Sequence, residues 1–106
     1  MTKPYEPEQI TRPEVDALPG ATILEFGTNW CGWCQNAQPH IEAALQGRAD
    51  LRHIKVEDGP GRPLGRSYRV KLWPTLIVLR DGAEVARVVR PGDAGAVRDG
   101  LEKLAG

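Results

Sequence analysis

Residues 26–34 read Phe26-Gly27-Thr28-Asn29-Trp30-Cys31-Gly32-Trp33-Cys34, and they place the chain's only two cysteines with two residues between them, directly after an apolar run. A Cys-X-X-Cys spacing lets two sulfurs meet in one helical turn, so the pair can pass between dithiol and disulfide without unfolding anything. Upstream, Ala21 to Gly27 (ATILEFG) is mostly apolar with Glu25 as the exception, the pattern of a strand covered on both faces within an α/β sheet. A charge inside such a strand asks for an explanation. Downstream, Ala37, Ile41, Ala44 and Leu45 recur at helical spacing, which predicts a helix over Cys31 to Leu45. Pro39 should remove a backbone bond and kink it midway, and Gly47 should stop it.

Further along, Leu51 to Val56 alternates and runs into Glu57-Asp58-Gly59-Pro60, predicting a second strand and a stiff loop, then a short helix over Pro63 to Tyr68. Thr75 to Arg80 is β-branched and aliphatic, and Asp81-Gly82 joins it to Glu84 through Val89 as an antiparallel hairpin. Asp93 can cap a last helix carrying Ala94, Val97, Leu101 and Leu104 at spacings of three and four. The order predicts an α/β fold: a central mixed β-sheet flanked by helices, with a C-terminal antiparallel hairpin followed by a helix. One domain over residues 1–106 is expected, with 1–20 less regular. Pro4, Pro7 and Pro13 discourage a strand there, although Pro13 suits the start of a short helix to Leu18.

Lys plus Arg and Asp plus Glu both number 14, so no net field recruits nucleic acid or an anionic membrane surface. Met1 to Gln9 lacks the apolar core of a secretory signal, and no run is long enough to span a bilayer. A cytoplasmic protein is expected, although a periplasmic one with its signal removed would read the same. Two cysteines cannot build a disulfide scaffold, and in a reducing compartment sulfur is more often catalytic or metal-binding.

Trp30-Cys31-Gly32-Trp33-Cys34, Pro39 five residues on, and Val70-Lys71-Leu72-Trp73-Pro74-Thr75-Leu76 together resemble the thioredoxin family over nearly the whole chain. The resemblance implies that Pro74 is cis, that its preceding backbone at Trp73 turns outward to pair with a substrate chain, and that it shields the sulfurs from metal. It also implies a buried acid in the strand before the motif and a lysine in the neighbouring strand, which fall on Glu25 and Lys55. Three departures stand out. Trp33 occupies the place of the proline of thioredoxin proper or the histidine of disulfide isomerases. Glu25 replaces the usual aspartate, and Trp73 replaces a smaller aliphatic residue.

The chemistry follows from placement. A sulfur at a helix N-terminus is stabilised as the thiolate, which makes Cys31 the expected nucleophile and Cys34, one turn inward, the resolving thiol. Glu25, its pKa raised by desolvation, is the expected base for Cys34, with Lys55 moderating that rise and His53, on the same strand face, able to join the relay. Trp30, Gly32, Trp33, Trp73 and Pro74 are expected to contact substrate, the three indoles forming an aromatic rim for apolar-flanked peptide segments. Loss of the proline's rigid φ at Trp33 is expected to make the Cys31–Cys34 disulfide more oxidising than in thioredoxin.

Blander readings stand beside these. The cysteines can be structural or idle, Glu25 can simply be ion-paired to Lys55, and the tryptophans can be hydrophobic cover. Arg62, Arg66 and Arg69 read as a solvated helix face, and His40 as a surface residue. Zinc needs four ligands where only His40 and His53 accompany the sulfurs, and a cluster bridging two chains would need the proline shield removed. The expectation is therefore a monomeric thiol–disulfide oxidoreductase without cofactor or metal, reducing disulfide-containing client proteins and recharged by an unidentified upstream reductase or thiol donor. Neither nucleic acid nor membrane is an expected partner. An isomerase or oxidase, and a non-catalytic redox-sensing peptide-binding module, are the alternatives.

Overall fold

Four strands, β1 (Ala21–Gly27), β2 (Arg52–Glu57), β3 (Thr75–Arg80) and β4 (Ala83–Val89), form one sheet in the order β2-β1-β3-β4. The computed structural model describes residues 3–105; Met1, Thr2 and Gly106, the ends of the predicted domain, lie outside the described residues. β1 is central because its run is apolar on both faces: it pairs parallel with β2, placing Glu25 opposite Lys55, and antiparallel with β3. β3 and β4 are the expected antiparallel hairpin. Asp81 and Gly82 both take positive φ, 50° and 82°, as a two-residue type I′ turn requires. A Cβ at Gly82 would stand 1.9 Å from the Asp16 carbonyl oxygen, so this turn is also where the end of the first helix packs.

Helices α1 (Arg12–Asp16), α2 (Gly32–Leu45), α3 (Pro63–Ser67) and α4 (Ala94–Leu101) cover the two faces. Alternation along β1 sends Ile23 into one core with Ala37, Ile41, Val97 and Leu101 of α2 and α4. Leu24 and Phe26 go into the other, with Val15 of α1, Leu64 of α3 and Tyr68, which caps α3. Burying each such side chain is worth about 1.5–3 kcal/mol. Glu25 and Gly27 share the face of Ile23, toward the N-terminal end of α2.

The strands β1 and β3 have the predicted bounds, and Pro39 lies inside α2, where the Gln35 carbonyl loses its usual partner. Gly47, with φ 78°, lies just past the Gln46 cap. Other boundaries shift. β2 begins at Arg52 instead of Leu51 and takes in Glu57, β4 takes in Ala83, and α3 stops at Ser67. α1 starts at Arg12 because Thr11 and Glu14 close a capping box that puts Pro13 in the first turn, and it ends at Asp16, short of Leu18. Leu104 is buried as expected, but on a 3₁₀ turn, Glu102–Ala105, into which α4 tightens. Among the described residues, the N-terminal segment makes one bridge, Glu6 with Val56, where the Glu57 N–H donates to the Glu6 carbonyl at 2.7 Å. Pro4 and Pro7 on either side cannot donate, so the bridge does not grow into a strand. The segment instead runs as a strap across the end of the sheet beside the cysteines.

Candidate active site

Cys31 is the N-cap of α2, in extended conformation (φ −81°, ψ 124°); its side chain makes no cap hydrogen bond but sits at the helix end where the first-turn amides have no intrahelical partner. Cys34 lies one turn inside and is the more buried, 1 % exposed against 9 % for Cys31. Both are free thiols. Burial pushes the Cys34 thiol up to about 12, helped by its hydrogen bond to Cys31 and opposed by the Thr28 backbone N–H and the Tyr5 hydroxyl.

Behind Cys34 lies a buried polar cluster centred on Glu25, which is fully buried. Tyr5 Oη donates to Glu25 Oε2, Gln38 Nε2 lies 3.0 Å from the same oxygen, and His53 Nε2 lies 2.8 Å from Oε1. Lys55 Nζ donates to Gln38 Oε1 at 2.6 Å and to the Lys3 carbonyl. One expectation is corrected by this arrangement. Burial raises the Glu25 pKa, but the hydrogen bonds from His53, Gln38 and Tyr5, with the Lys55 charge, outweigh it and hold the carboxyl below its ordinary value. Lys55 acts on Glu25 through space and through Gln38, and its own pKa is lowered by burial despite the Glu25 charge.

The opposite side of the cysteine pair is the aromatic rim. Trp30 and Trp33 are 74 % and 57 % exposed, while Trp73 is half-buried. Trp30 meets Trp73 edge to face at 5.8 Å, and Trp73 Nε1 donates to Asp58 Oδ2 at 2.9 Å. The Arg90 guanidinium lies 4.4 Å over the Trp33 ring, and its Nε donates to the Trp73 carbonyl at 2.8 Å. The Trp73–Pro74 peptide is cis, as the resemblance implied. Arg90 occupies one of the two lone pairs of the Trp73 carbonyl, leaving the other for an approaching chain. Around Gly32 there is open space where a side chain would stand.

The structure thus brings Cys31, Cys34, Glu25, Lys55 and His53 together on one side and gathers Trp30, Trp33, Trp73 and Pro74 on the other. His40 belongs to neither group, and Arg66 and Arg69 are exposed. Arg62 is partly buried and ion-paired with Glu57 at 2.5 Å. Among the described residues no three His, Cys, Asp or Glu side chains cluster as metal ligands would, and no helix is long and apolar enough to cross a membrane. Sequence reading missed Tyr5, Gln38, Asn29 and Arg90. Of these only Gln38 carried a signal, since its position four residues after Cys34 puts it on the same helix face.

Comparison with known proteins agrees with this geometry. A thioredoxin domain profile matches residues 11–103. In a solved structure, thioredoxin 2 of Pseudomonas aeruginosa PAO1 in its reduced form is 54% identical and superposes with a TM-score of 0.86, covering 98% of this chain and 96% of that one. A thioredoxin of Staphylococcus aureus is 36% identical over 73 residues, 66% of this chain and 68% of its own length. Thioredoxin H2-1 of Oryza sativa subsp. japonica is 32% identical over 81 residues, 76% of this chain, though the match spans only 55% of the rice protein. The sheet order, the Cys-X-X-Cys pair capping α2, the cis Trp73–Pro74 bond and the profile across residues 11–103 all lead to one assignment: this chain belongs to the thioredoxin family.

Proposed function

We propose that the chain reduces protein disulfides by dithiol–disulfide exchange, through a Cys31 mixed disulfide that Cys34 resolves. Family membership supports thiol–disulfide oxidoreduction in general. The observation that carries the finer reading is the division of labour between the two sulfurs. Cys31 caps α2 at the rim, whereas Cys34 is enclosed and packed behind Cys31. In this reading the Cys31 thiolate attacks a client disulfide, one client sulfur leaves as a thiolate, and a mixed disulfide forms. Cys34 then gives up its proton and attacks Cys31, releasing the second client thiol. The client gains two electrons and the Cys31–Cys34 pair is left oxidised, to be reduced by an upstream thiol donor. Trp30, Trp33 and the Trp73–Pro74 backbone, with the open approach at Gly32, are the surfaces that hold the client.

Reduction, not oxidation, is the direction expected of a cytoplasmic member of the family. The equilibrium reduction potential tests it: a value near about −270 mV supports a reductase, and one near about −180 mV or above moves the assignment to isomerase or oxidase. The strong exposure of Trp30 and Trp33 favours one other reading, a peptide-binding module whose cysteines only report redox state. Trapping separates the two. Cys34→Ser should accumulate mixed disulfides with client proteins, whereas undiminished client binding by a Cys31→Ser Cys34→Ser double variant would favour the module.

A further inference from the structure

We infer that the Tyr5 hydroxyl is the proton relay of the resolving step, taking the proton of Cys34 and passing its own to Glu25 while Cys34 attacks the Cys31 mixed disulfide. This rests on the dithiol–disulfide reading above and adds to it a catalytic residue from outside every strand and helix.

Tyr5 is held in place by contacts that do not involve its hydroxyl. Its backbone N–H donates to Asn29 Oδ1 at 2.8 Å, and Asn29 Nδ2 returns a bond to the Tyr5 carbonyl at 3.1 Å. The Lys55 ammonium lies 4.5 Å from its ring centroid and also bonds the Lys3 carbonyl, while Glu6 bridges to β2. The ring is 4 % exposed and packs in one cluster with Cys31 and Cys34. A ring needed only as cover would be served by phenylalanine. The hydroxyl instead reaches Glu25 Oε2 as donor and receives Gln38 Nε2 at 3.0 Å. A phenol has one proton and two lone pairs, so one lone pair is left, and the Cys34 sulfur, packed beside the hydroxyl over Gly27, is the group next to it.

Gly27 makes this meeting possible. A Cβ there would stand 2.7 Å from Cys34 Sγ, 2.7 Å from Tyr5 Cζ and 2.8 Å from Tyr5 Oη, so sulfur and hydroxyl share the space that any side chain would take. In the dithiol, Cys31 packs against Cys34 and, as a thiolate, favours keeping the Cys34 proton in place. Once Cys31 is bonded to a client sulfur it no longer offers a thiolate, and the Cys34 proton can turn to the free lone pair of Tyr5. The step then balances. The Cys34 S–H proton moves to Tyr5 Oη, the Tyr5 proton moves to Glu25 Oε2, and the Cys34 electron pair forms the bond to Cys31 Sγ. The bond between Cys31 and the client breaks, and its electron pair leaves on the client thiolate. Tyr5 ends as it began, a neutral phenol, in keeping with burial and the Glu25 charge raising its pKa far above the ordinary range. Glu25 Oε1 lies 2.8 Å from His53 Nε2, and the His53 side chain is 28% exposed, so the proton has an outlet to solvent. The titratable groups facing this path are Cys31 from the α2 cap, Glu25 from β1, and His53 and Lys55 from β2, with Lys3 and Glu42 behind Lys55.

The test is stopped-flow mixing of the reduced protein with one equivalent of 5,5′-dithiobis(2-nitrobenzoate). Attack by Cys31 releases the first coloured thiolate, and resolution by Cys34 releases the second. In Tyr5→Phe the second release should slow about tenfold or more near neutral pH; the lower bound lies below the ~10²–10⁴-fold usual for a lost general acid or base because Glu25 stays in place. The deficit should narrow as pH rises toward the Cys34 value of about 12. In mixtures of light and heavy water, the wild-type second rate should fall along a curve, because two protons move together. Equal second rates in wild type and Tyr5→Phe at neutral pH, or a straight-line isotope dependence in the wild type, would overturn the relay. The isotope dependence decides alone if the variant does not fold. A wild type that releases only the first thiolate would overturn the resolving role of Cys34, and the relay with it.

Discussion

The two sides of the Cys31–Cys34 pair are built on opposite principles. Toward solvent stands a rim of exposed indoles, Trp30 and Trp33, steadied by Arg90 and by the half-buried Trp73. Toward the interior lie Tyr5, Glu25, Gln38 and Lys55, buried or half-buried and bonded to one another. The rim is apolar where water is abundant, so its contact area is available to a partner. The inner cluster is polar where water is scarce, so each of its bonds acts in a low dielectric and holds a protonation state in place. Changes at the rim should therefore alter which clients are engaged, and changes within the cluster should alter how fast a bound client is released.

The largest expected contrast is kinetic. Glu25→Gln keeps the shape of the cluster but removes its proton acceptor, and should slow resolution of the mixed disulfide about a hundredfold, a typical loss for a general base. Stopped-flow release of the second thiolate would show it, and an unchanged rate would mean that the cluster is structural only. Next is Gly27→Ala, whose methyl would press on Cys34 and Tyr5 from 2.7 Å. Overpacking of this kind costs about 1–3 kcal/mol, which urea unfolding would measure.

The inner cluster should also shape stability against pH. The Glu25 pKa is depressed on folding, so its contribution is present above the ordinary value of 4.5 and is lost as pH falls through the lower folded value. The Cys34 pKa is raised from 9.0 to about 12, so the reduced protein should hold its stability below 9.0 and lose it as pH climbs toward 12. Each single-group limb can be no steeper than about 1.4 kcal/mol per pH unit. Cys34→Ser should flatten the alkaline limb in thermal unfolding of the reduced protein; a limb unchanged by this substitution would show that Cys34 is not its source. The smallest effect is expected at the rim. Trp33→Ala should shift stability by no more than about 0.5 kcal/mol. It should nonetheless raise the KM for a protein disulfide while leaving the reaction with a small disulfide unchanged, and equal losses on both substrates would place Trp33 in the chemistry.

Local pattern reached far in this chain. The apolar run of β1, the Asp81-Gly82 turn between β3 and β4, and the helix after Cys31 could all be read because each depends on residues adjacent in sequence. The rim could be read for the same reason: Trp30 and Trp33 flank the cysteines, and Trp73 precedes Pro74. The strap could not. Proline at positions 4, 7 and 13 argues only against a strand, and nothing local says that Tyr5 lies against Glu25, twenty residues away in sequence. The electrostatics of Glu25 were misread for a related reason. Burial can be inferred from the surrounding strand, and burial alone raises a carboxyl pKa, but the bonds from Tyr5, Gln38 and His53 that reverse the direction come from a strap, a helix and a neighbouring strand.

The cysteine pair, its place at a helix start, the sheet that carries it and the aromatic surface beside it are all legible in the residues alone, since they rest on backbone preference and side-chain period within single elements. Only the tertiary structure decided how the buried thiol can lose its proton. That depends on Gly27 leaving room, on Asn29 clamping the strap, and on three separate segments bringing hydrogen-bonding groups to one carboxylate. Hydrogen bonds act over about 3 Å in space whatever the distance along the chain, so packing alone could bring these groups together.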